Sequence, residues 1–160
     1  MDKIDEIDAQ ILSLLQAQGR IKRNRIADAV GLSVPATSER MRKLEERGVV
    51  TGYHATLDAR RLGFDVTAFI RVSSDGSDHY GEFIEAVTAM DAVQELHSIT
   101  GEGSHILKVR VRNTSALERL LAEVQRLPGV RGTQTSIVLS TQKESTALPA
   151  EPMTLVQIPD

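Results

Sequence analysis

The sequence has no cysteine among its 160 residues, which excludes disulfide bonds and thiolate metal sites. Aromatic residues are almost as scarce, at 3% with no Trp, so the cores must consist of Leu, Ile, Val and Ala. No apolar run approaches the roughly 18 residues that a membrane span needs. The N-terminal segment MDKIDEID is acidic and lacks the apolar stretch of a signal peptide. We therefore expect a soluble cytoplasmic protein that has no membrane partner.

Basic residues are concentrated in one short part of the chain, although the net charge of the whole is −3. Between Arg20 and Arg47 there are eight basic and four acidic residues, which gives a net charge of +4. From Val66 onward, eight basic and twelve acidic residues give −4. A local excess of positive charge suits a DNA-binding surface, but it is also typical of a solvated helix face.

Helical periodicity occupies the first part of the chain. Apolar residues recur at steps of three and four, which predicts helices at about residues 4–17, 22–30 and 34–47. Gly31 is placed to end the second helix, Ser33 to cap the third, and Pro35 falls in the first turn, where its missing N–H does no harm. After Gly48 the period changes, and short apolar stretches around Gly52 predict a two-stranded wing.

The second half alternates between strand and helix patterns in the order β-α-β-β-α-β, which is the ferredoxin-like split βαβ arrangement. The predicted fold class is therefore α+β, with an N-terminal winged helix-turn-helix and a C-terminal ferredoxin-like βαββαβ domain. The expected boundaries are 1–57 for the DNA-binding domain, 58–65 for a linker, 66–143 for the second domain and 144–160 for a tail. Three prolines favour disorder in the tail, while LVQI near its end leaves an added strand open.

The third helix is the candidate DNA reader, because the major groove of B-DNA, about 12 Å wide, admits one α-helix. Its hydroxyls and cations are suited to base edges and phosphates, and its N-terminus favours negative charge. The candidate contacts are Ser33, Pro35, Ala36, Thr37, Ser38, Arg40, Arg42 and Lys43. The alternative is an ordinary three-helix core, in which Arg40 only pairs with its neighbours Glu39 or Glu45.

Other chemistry finds little support in the residues. His97 and His105 fall on neighbouring predicted strands, but no further metal ligands have suitable spacing, so we interpret them as surface or packing residues. Glu102, Ser104 and His105 include the residue types of a hydrolytic triad, yet contiguous residues do not converge as a triad must. No phosphate-cradling loop or dinucleotide fingerprint is present. We expect no enzyme activity and no cofactor.

The chain resembles the Lrp/AsnC, or feast–famine, family of transcriptional regulators. The matching stretches run in order from about Ile4 to Gln142: IDAQILSLLQAQGRI, IADAVGLS, ERMRKLEERGVVTGY, TGEGSHILKVRV, RLPGV and TQTSIVL. The resemblance implies a homodimer formed through the ferredoxin-like domains and often an octamer, as a tetramer of dimers. It also implies an amino-acid effector held between subunits, and presentation of residues 34–43 to double-stranded DNA.

Carried over by position, the resemblance places the effector loop at Gly101, Glu102, Gly103 and Ser104, and adds Thr133, Thr135 and Ile137 from the last strand. Many family members have a second carboxylate in this loop, where this sequence has Ser104. A carboxylate is the natural partner of a ligand's α-ammonium group, so the change puts the effector in question. From the residues alone, the loop is also compatible with a plain hairpin turn.

Three functional hypotheses remain. The first is a sequence-specific DNA-binding transcriptional regulator that responds to a small molecule, expected to be an amino acid. The second is an architectural DNA-binding protein without an effector, which would show salt-sensitive and weakly selective binding. The third is a small enzyme or metabolic sensor, which would need a convergent catalytic set that the sequence does not show.

Overall fold

The computed structural model describes residues 3–75 and 78–156. The elements, in chain order, are β1 (Lys3–Ile4), α1 (Glu6–Ala17), α2 (Arg23–Val30), α3 (Val34–Glu46), β2 (Val66–Ser74), α4 (Tyr80–Thr88), β3 (Val93–Ser98), β4 (His105–Val111), α5 (Thr114–Gln125), β5 (Val130–Ile137) and β6 (Met153–Thr154). The chain divides into two compact units, one formed by residues 1–56 and 144–160 and the other by residues 57–143.

The first unit contains the three helices of a helix-turn-helix, and local capping sets their ends. The Asp5 carboxylate accepts the Asp8 N–H at 2.8 Å, which starts α1. Gly31 ends α2 in the left-handed region at φ 71°, a conformation that suits glycine. Ser33 caps α3, and Pro35 lies in its first turn. The predicted roles of Gly31, Ser33 and Pro35 are confirmed.

The core of the first unit is aliphatic, as the composition predicts. Ile11, Ile26 and Leu44, one from each helix, are fully buried, and Met41 is nearly so. Burial of each such side chain contributes about 1.5–3 kcal/mol. The inward positions of α3 are therefore spaced by three residues at Met41 and Leu44, and this fixes which face of the helix remains exposed.

The predicted two-stranded wing is wrong. Residues 47–65, all of them described, contain no strand. The backbone N–H groups of Val49 and Val50 both donate to the Leu44 carbonyl, at 2.9 and 3.1 Å, and their side chains pack on the core. Residues 51–58 are exposed and have no pairing partner, so nothing stabilises a hairpin there.

The two-stranded sheet of this unit is instead formed by distant segments. β1 pairs with β6 in antiparallel register. The Gln16 side chain binds the backbone of Leu148 twice, accepting its N–H at 2.7 Å and donating to its carbonyl at 2.9 Å. Leu155 packs against the helical core. The segment 144–156 is therefore part of the first unit rather than a disordered tail. The added strand lies just before the suggested LVQI, of which residues 157–158 are outside the described residues.

The second unit is the predicted ferredoxin-like domain. Its four strands form an antiparallel sheet in the order β3-β4-β2-β5. Alternate residues of β2 and β4 pack with α4 and α5 in one aliphatic core, which includes Ile70, Val72, Leu107, Val87 and Val124. Both helices therefore cover the same face of the sheet. The loop of residues 99–104 joins β3 to β4 at the end of the sheet where β2 also ends.

Candidate functional site

The exposed face of α3 is the first candidate site. Five of the predicted DNA contacts are exposed and Ser38 is half-buried. The five are Ser33, Pro35, Ala36, Arg42 and Lys43. The Ser33 hydroxyl accepts the Ala36 N–H at 3.3 Å, which satisfies one of the free amides at the start of the helix. This first turn carries small side chains, so its backbone lies close to any surface that the helix meets.

Two predicted contacts do not lie on this face. Thr37 is completely buried, and its hydroxyl donates to the Ser33 carbonyl at 3.0 Å. Arg40 is turned toward α1, where one terminal nitrogen lies 2.7 Å from both Asp5 and Asp8. The hydrogen bonds that Arg40 donates, first to Asp5 and then to Asp8, raise the pKa of Arg40 further. We therefore remove both residues from the predicted DNA-contacting set, since each serves contacts within the unit.

The remaining cations of α3 are neutralised along the helix itself. Arg42 pairs with Glu39 at 2.6 Å and with Glu46 one turn later. Lys43 lies 3.7 Å from Glu39. The hydrogen bond from Arg42 lowers the pKa of Glu39, so that carboxylate stays ionised. These pairs are exposed and weak, so they can exchange for phosphate contacts, but they leave α3 with little net positive charge.

The start of α2 offers a second set of cations that the site prediction omitted. Lys22, Arg23 and Arg25 are exposed, and no ion pair joins them to an acidic residue within segments 3–75 and 78–156. Lys22 is the N-cap residue and makes no side-chain cap, and in the first turn the Arg25 N–H donates to Asn24 Oδ1 at 2.9 Å. The sequence could have identified these three cations, because they lie in the segment between Arg20 and Arg47 where basic residues are concentrated.

The loop between β3 and β4 is the second candidate site. Gly101 and Gly103 have φ of 94° and 85°, which L side chains rarely adopt. A Cβ on Gly103 would lie 2.7 Å from Arg71 Cγ and 3.0 Å from the Val72 carbonyl oxygen, whereas one on Gly101 would meet nothing within 4 Å. Gly103 is therefore required both by its backbone conformation and by the close approach of β2.

A pair of opposite charges flanks this loop. Arg71 Nη1 lies 3.8 Å from the Glu102 carboxylate, and the Glu102 side chain is 88% exposed. Arg71 is partnered in the sheet by Gln134 and Ile106, on the face away from the helices. The sequence prediction missed Arg71, although a single basic residue within the apolar strand VTAFIRV was a usable signal.

Ser104 ends the loop, and both its backbone and its hydroxyl are hydrogen-bonded to neighbouring residues. Its N–H donates to the Val72 carbonyl at 2.8 Å, and its carbonyl accepts the Ile99 N–H at 3.0 Å. Its hydroxyl contacts Ser74 Oγ at 2.8 Å and His105 Nδ1 at 2.9 Å. Within one chain, Ser104 therefore holds the base of the loop, while Glu102 provides the loop's exposed carboxylate.

The three candidate residues of β5 lie on another face of the sheet. Thr133, Thr135 and Ile137 are opposite Val72, Ile70 and Ala68, whose side chains are buried under the helices. Thr133 also accepts a hydrogen bond from Gln125 on α5 at 2.7 Å. Side chains alternate across a strand, so these residues do not share a face with Arg71. The sheet of a single chain does not bring the two sets together.

The described residues form neither a candidate metal site nor a helix suited to span a membrane. His97 and His105 do lie on paired strands, but their partners are Ile106 and Ser98, so the rings point to opposite faces. No group of three or more His, Asp or Glu residues in the described ranges is arranged to hold a metal ion. No helix in those ranges combines the length and apolar character needed to cross a bilayer.

Fold and surfaces together define a helix-turn-helix DNA-binding protein with an attached α+β domain. The model for a winged helix-turn-helix DNA-binding domain matches residues 4–51, and the model for the Lrp/AsnC ligand binding domain matches residues 67–148. The chain therefore belongs to the Lrp/AsnC family.

Curated relatives and solved structures agree with this assignment. The chain is 36% identical to the HTH-type transcriptional regulator FL11 of Pyrococcus horikoshii, over 91% of this chain and 96% of that protein. It is also 36% identical to the leucine-responsive regulatory protein of Escherichia coli K12, over 91% and 90%.

Two solved structures are similar over nearly their whole length. The regulator NMB0573 of Neisseria meningitidis, in complex with L-methionine, gives a TM-score of 0.87 at 31% identity, over 91% of this chain and 96% of that one. The regulatory protein Rv3291c of M. tuberculosis, complexed with L-methionine, gives 0.85 at 32% identity, over 91% and 98%.

Proposed function

We propose that this chain is a sequence-specific transcriptional regulator that reads DNA with α3 and responds to an amino acid bound at the β3–β4 loop. The observation that carries the proposal is the exposed first turn of α3, held outward by Met41 and Leu44 in the core. Its family membership adds the ligand-binding domain. A regulator of this kind works in the cytoplasm and has no catalytic step.

DNA affinity and DNA selectivity are assigned to different helices. The N-terminal end of α3, with Ser33, Pro35, Ala36 and Ser38, is narrow enough to approach base edges, and Arg42 and Lys43 follow further along the helix. Glu39 and Glu46, on the same helix, pair with Arg42 and Lys43 and offset most of the positive charge of α3. The cations at the start of α2 lack such partners, so they supply the phosphate contacts that position the protein.

The DNA proposal is tested on a duplex selected from a random-sequence pool, by fluorescence anisotropy over a series of salt concentrations. Removal of one phosphate-binding cation lowers the slope of log affinity against log salt by about 1. The double variant Lys22→Ala/Arg25→Ala is therefore expected to lower the slope by about 2. Arg119→Ala on α5 removes an exposed cation outside the helix-turn-helix unit and serves as the control. An unchanged slope in the double variant contradicts the assignment.

Selectivity separates a regulator from the second candidate, an architectural protein. A specific regulator binds its selected duplex about 10³-fold or more tighter than a scrambled one. A ratio below about tenfold, combined with a steep salt dependence, favours the architectural function. The missing second carboxylate of the loop is the observation that supports this alternative.

The effector site is proposed to recognise both charges of an amino acid. A free α-carboxylate suits the Arg71 guanidinium and the backbone amides of the glycine loop, and an α-ammonium suits Glu102. The 3.8 Å separation between Arg71 and Glu102 shows two charges that attract without a tight hydrogen bond. The two solved relatives described above carry L-methionine, which makes it the first probe for this chain.

Assembly completes the proposed site. Arg71, which adjoins the loop Gly101–Ser104, does not share a face of the sheet with the β5 residues Thr133, Thr135 and Ile137 in one chain, so the proposed cleft takes the loop from one subunit and β5 from a neighbour. We propose a homodimer that associates further into an octamer. Size-exclusion chromatography with light scattering measures the mass directly, and a monomer at all concentrations contradicts this arrangement.

The effector experiment is a thermal-shift screen against the twenty amino acids, followed by two analogues. Methioninol lacks the carboxylate, and N-acetyl-L-methionine lacks the ammonium charge. Arg71→Met is expected to lose the preference for L-methionine over methioninol, and Glu102→Gln the preference over N-acetyl-L-methionine. Arg119→Met is the control. If both variants keep both preferences, Arg71 and Glu102 do not bind the ligand charges, and if no amino acid shifts the wild type, the effector proposal fails.

A further inference from the structure

A buried histidine adjoins the effector loop. His105 begins β4 and is only 3% exposed. Its ring packs against Phe83 at 4.8 Å and Tyr80 at 5.4 Å between ring centres, both on α4. It also lines a cavity of about 10 Å³ together with Ser74 and Asp75. The N–H of a buried imidazole in such a place needs an acceptor, because an unpaired buried donor is costly.

The hydroxyl of Ser104 decides how the ring is protonated. The Val72 carbonyl can only accept, and it lies 3.2 Å from Ser104 Oγ. If the hydroxyl hydrogen of Ser104 points to the Val72 carbonyl, the hydrogen bonds of the two serine hydroxyls and of the imidazole are mutually consistent. Ser74 donates to Ser104 Oγ at 2.8 Å, and His105 Nδ1–H donates to the same oxygen at 2.9 Å. Every polar hydrogen in the cluster then has an acceptor.

The other neutral tautomer of His105, protonated at Nε2, leaves the Nε2 hydrogen without an acceptor. His105 Nε2 is buried and has no hydrogen-bond partner among the described residues. As an unprotonated nitrogen it presents only a lone pair and leaves no polar hydrogen unpaired. As a protonated nitrogen it would bury an unsatisfied N–H. Burial also lowers the pKa of His105, which agrees with a neutral ring.

The charged neighbours of the ring are already engaged elsewhere. Asp75 pairs with Arg131 at 2.6 Å, and His79 lies 3.4 Å from Glu82. Both Asp75 and His79 line the cavity, as does Tyr80, whose hydroxyl is 3.0 Å from Ser98 Oγ. No carboxylate within the described ranges is therefore paired with His105, and nothing there stabilises a charged imidazolium.

We propose that His105 is a positioning residue for the effector loop: its neutral ring, protonated at Nδ1, fixes the Ser104 hydroxyl and thereby the base of the loop. Ser104 is the residue that ties this loop to Ile99 and Val72 through its backbone. The inference rests on the proposed function, because it takes residues 101–104 as the effector loop. Ser104 then replaces a ligand-binding carboxylate with an internal anchor that the histidine holds.

The ring form is measured directly on the full-length protein labelled with ¹⁵N-histidine. The chain has four histidines, so the long-range ¹H–¹⁵N spectrum is simple, and His105→Asn identifies the signal of His105 by its loss. We expect a protonated Nδ1 and an unprotonated Nε2 at neutral pH. The reverse form, or a ring protonated at both nitrogens, overturns the proposal. This measurement requires no ligand.

A matched pair of variants tests the effect on the loop. The side-chain amide of Asn lies as many bonds from Cα as Nδ1 and keeps a donor for Ser104, whereas the amide of Gln reaches the position of Nε2. His105→Gln is expected to speed amide hydrogen exchange at Ile99 and Ser104 and to weaken L-methionine binding by about fivefold, which corresponds to about 1 kcal/mol for one hydrogen bond. His105→Asn is expected to stay close to wild type.

The outcomes separate this proposal from the proposed function. Equal loss in both variants shows that His105 only fills space, and no loss in His105→Gln shows that the ring does not hold the loop; either result overturns the positioning role. If the wild type binds no amino acid, the effector function fails, while the exchange of Ile99 and Ser104 still reports whether His105 holds the loop. Urea denaturation of both variants confirms that each is folded at the temperature of the measurement.

Discussion

Replacement of Arg40 by methionine is expected to weaken the fold of the helix-turn-helix unit without weakening its contact with DNA. Methionine keeps most of the aliphatic stem and removes the guanidinium that lies 2.7 Å from Asp5 and Asp8. The change leaves the Asp8 carboxylate, whose side chain is only 9% exposed, without its cation. Stability falls because the charge must remain in a poorly hydrated position.

The size of the loss follows from the exposure of the three groups. Breaking a fully buried ion pair costs about 3–5 kcal/mol, and an exposed pair contributes about 0.2–1 kcal/mol. Arg40 is 31% exposed and Asp5 is 50% exposed. We therefore expect a loss of about 1–2 kcal/mol for Arg40→Met. Arg42→Met, on the exposed face of α3, is the matched control and should change stability little, because Glu39 and Glu46 remain hydrated.

Urea denaturation followed by helical circular dichroism measures the first effect, as a lower midpoint with an unchanged slope. Anisotropy with the selected duplex, at a temperature where every variant is folded, measures the second. We expect Arg42→Met to lose affinity for DNA and Arg40→Met to keep it. Equal stability of the two variants, or a larger loss of DNA affinity in Arg40→Met, would refute the structural role of Arg40.

Three further predictions concern the loop, the C-terminal segment and pH. Gly103→Ala should cost about 1–3 kcal/mol and abolish the L-methionine response, because its Cβ meets Arg71 and Val72, whereas Gly101→Ala carries backbone strain alone and should lose less in urea denaturation. Deletion of residues 144–160 should lower the melting temperature of the helical unit, because it removes the partner of β1 and Leu155 from the core. The stability of the second unit should fall as pH drops below about 6.5, because burial lowers the pKa of His105 and the unfolded chain then binds the proton more readily.

Each of these has a contradicting result. Equal stabilities of the Gly103 and Gly101 variants would show that the close approach of β2 does not matter. An unchanged melting temperature in the shortened chain would show that β6 adds no stability. The pH effect should disappear in His105→Asn, and a slope that persists in that variant would assign it to another group.

The helices were predictable because their signals are local. Caps at Ser33 and Gly31 and apolar steps of three and four residues act within one or two turns, and the βαββαβ order follows from similarly short patterns. Thr37 lies four residues before Met41 and seven before Leu44, a helical spacing that agrees better with its burial than with the contact role assigned to it. Local physics therefore accounts for most of the secondary structure.

Two features were missed because their partners are distant in sequence. Arg40 was expected to pair, if at all, with Glu39 or Glu45, yet its partners lie 32 and 35 residues earlier on another helix. The strand partner of β1 lies about 150 residues away, so no window of sequence could reveal it. The wing failed for the complementary reason, because short β-branched stretches form strands only where another strand is available to pair with them.

The pairing of β1 with β6 also has a consequence for synthesis. The DNA-binding unit is discontinuous, with residues 57–143 inserted between its helices and its closing strand. At about 5–20 residues per second, the ribosome completes β6 roughly 7–30 s after β1. During that interval residues 57–143 are synthesised, while the nascent helices still lack their last partner. The helix-turn-helix unit therefore cannot complete its β1–β6 pairing until the whole ligand-binding domain has been synthesised.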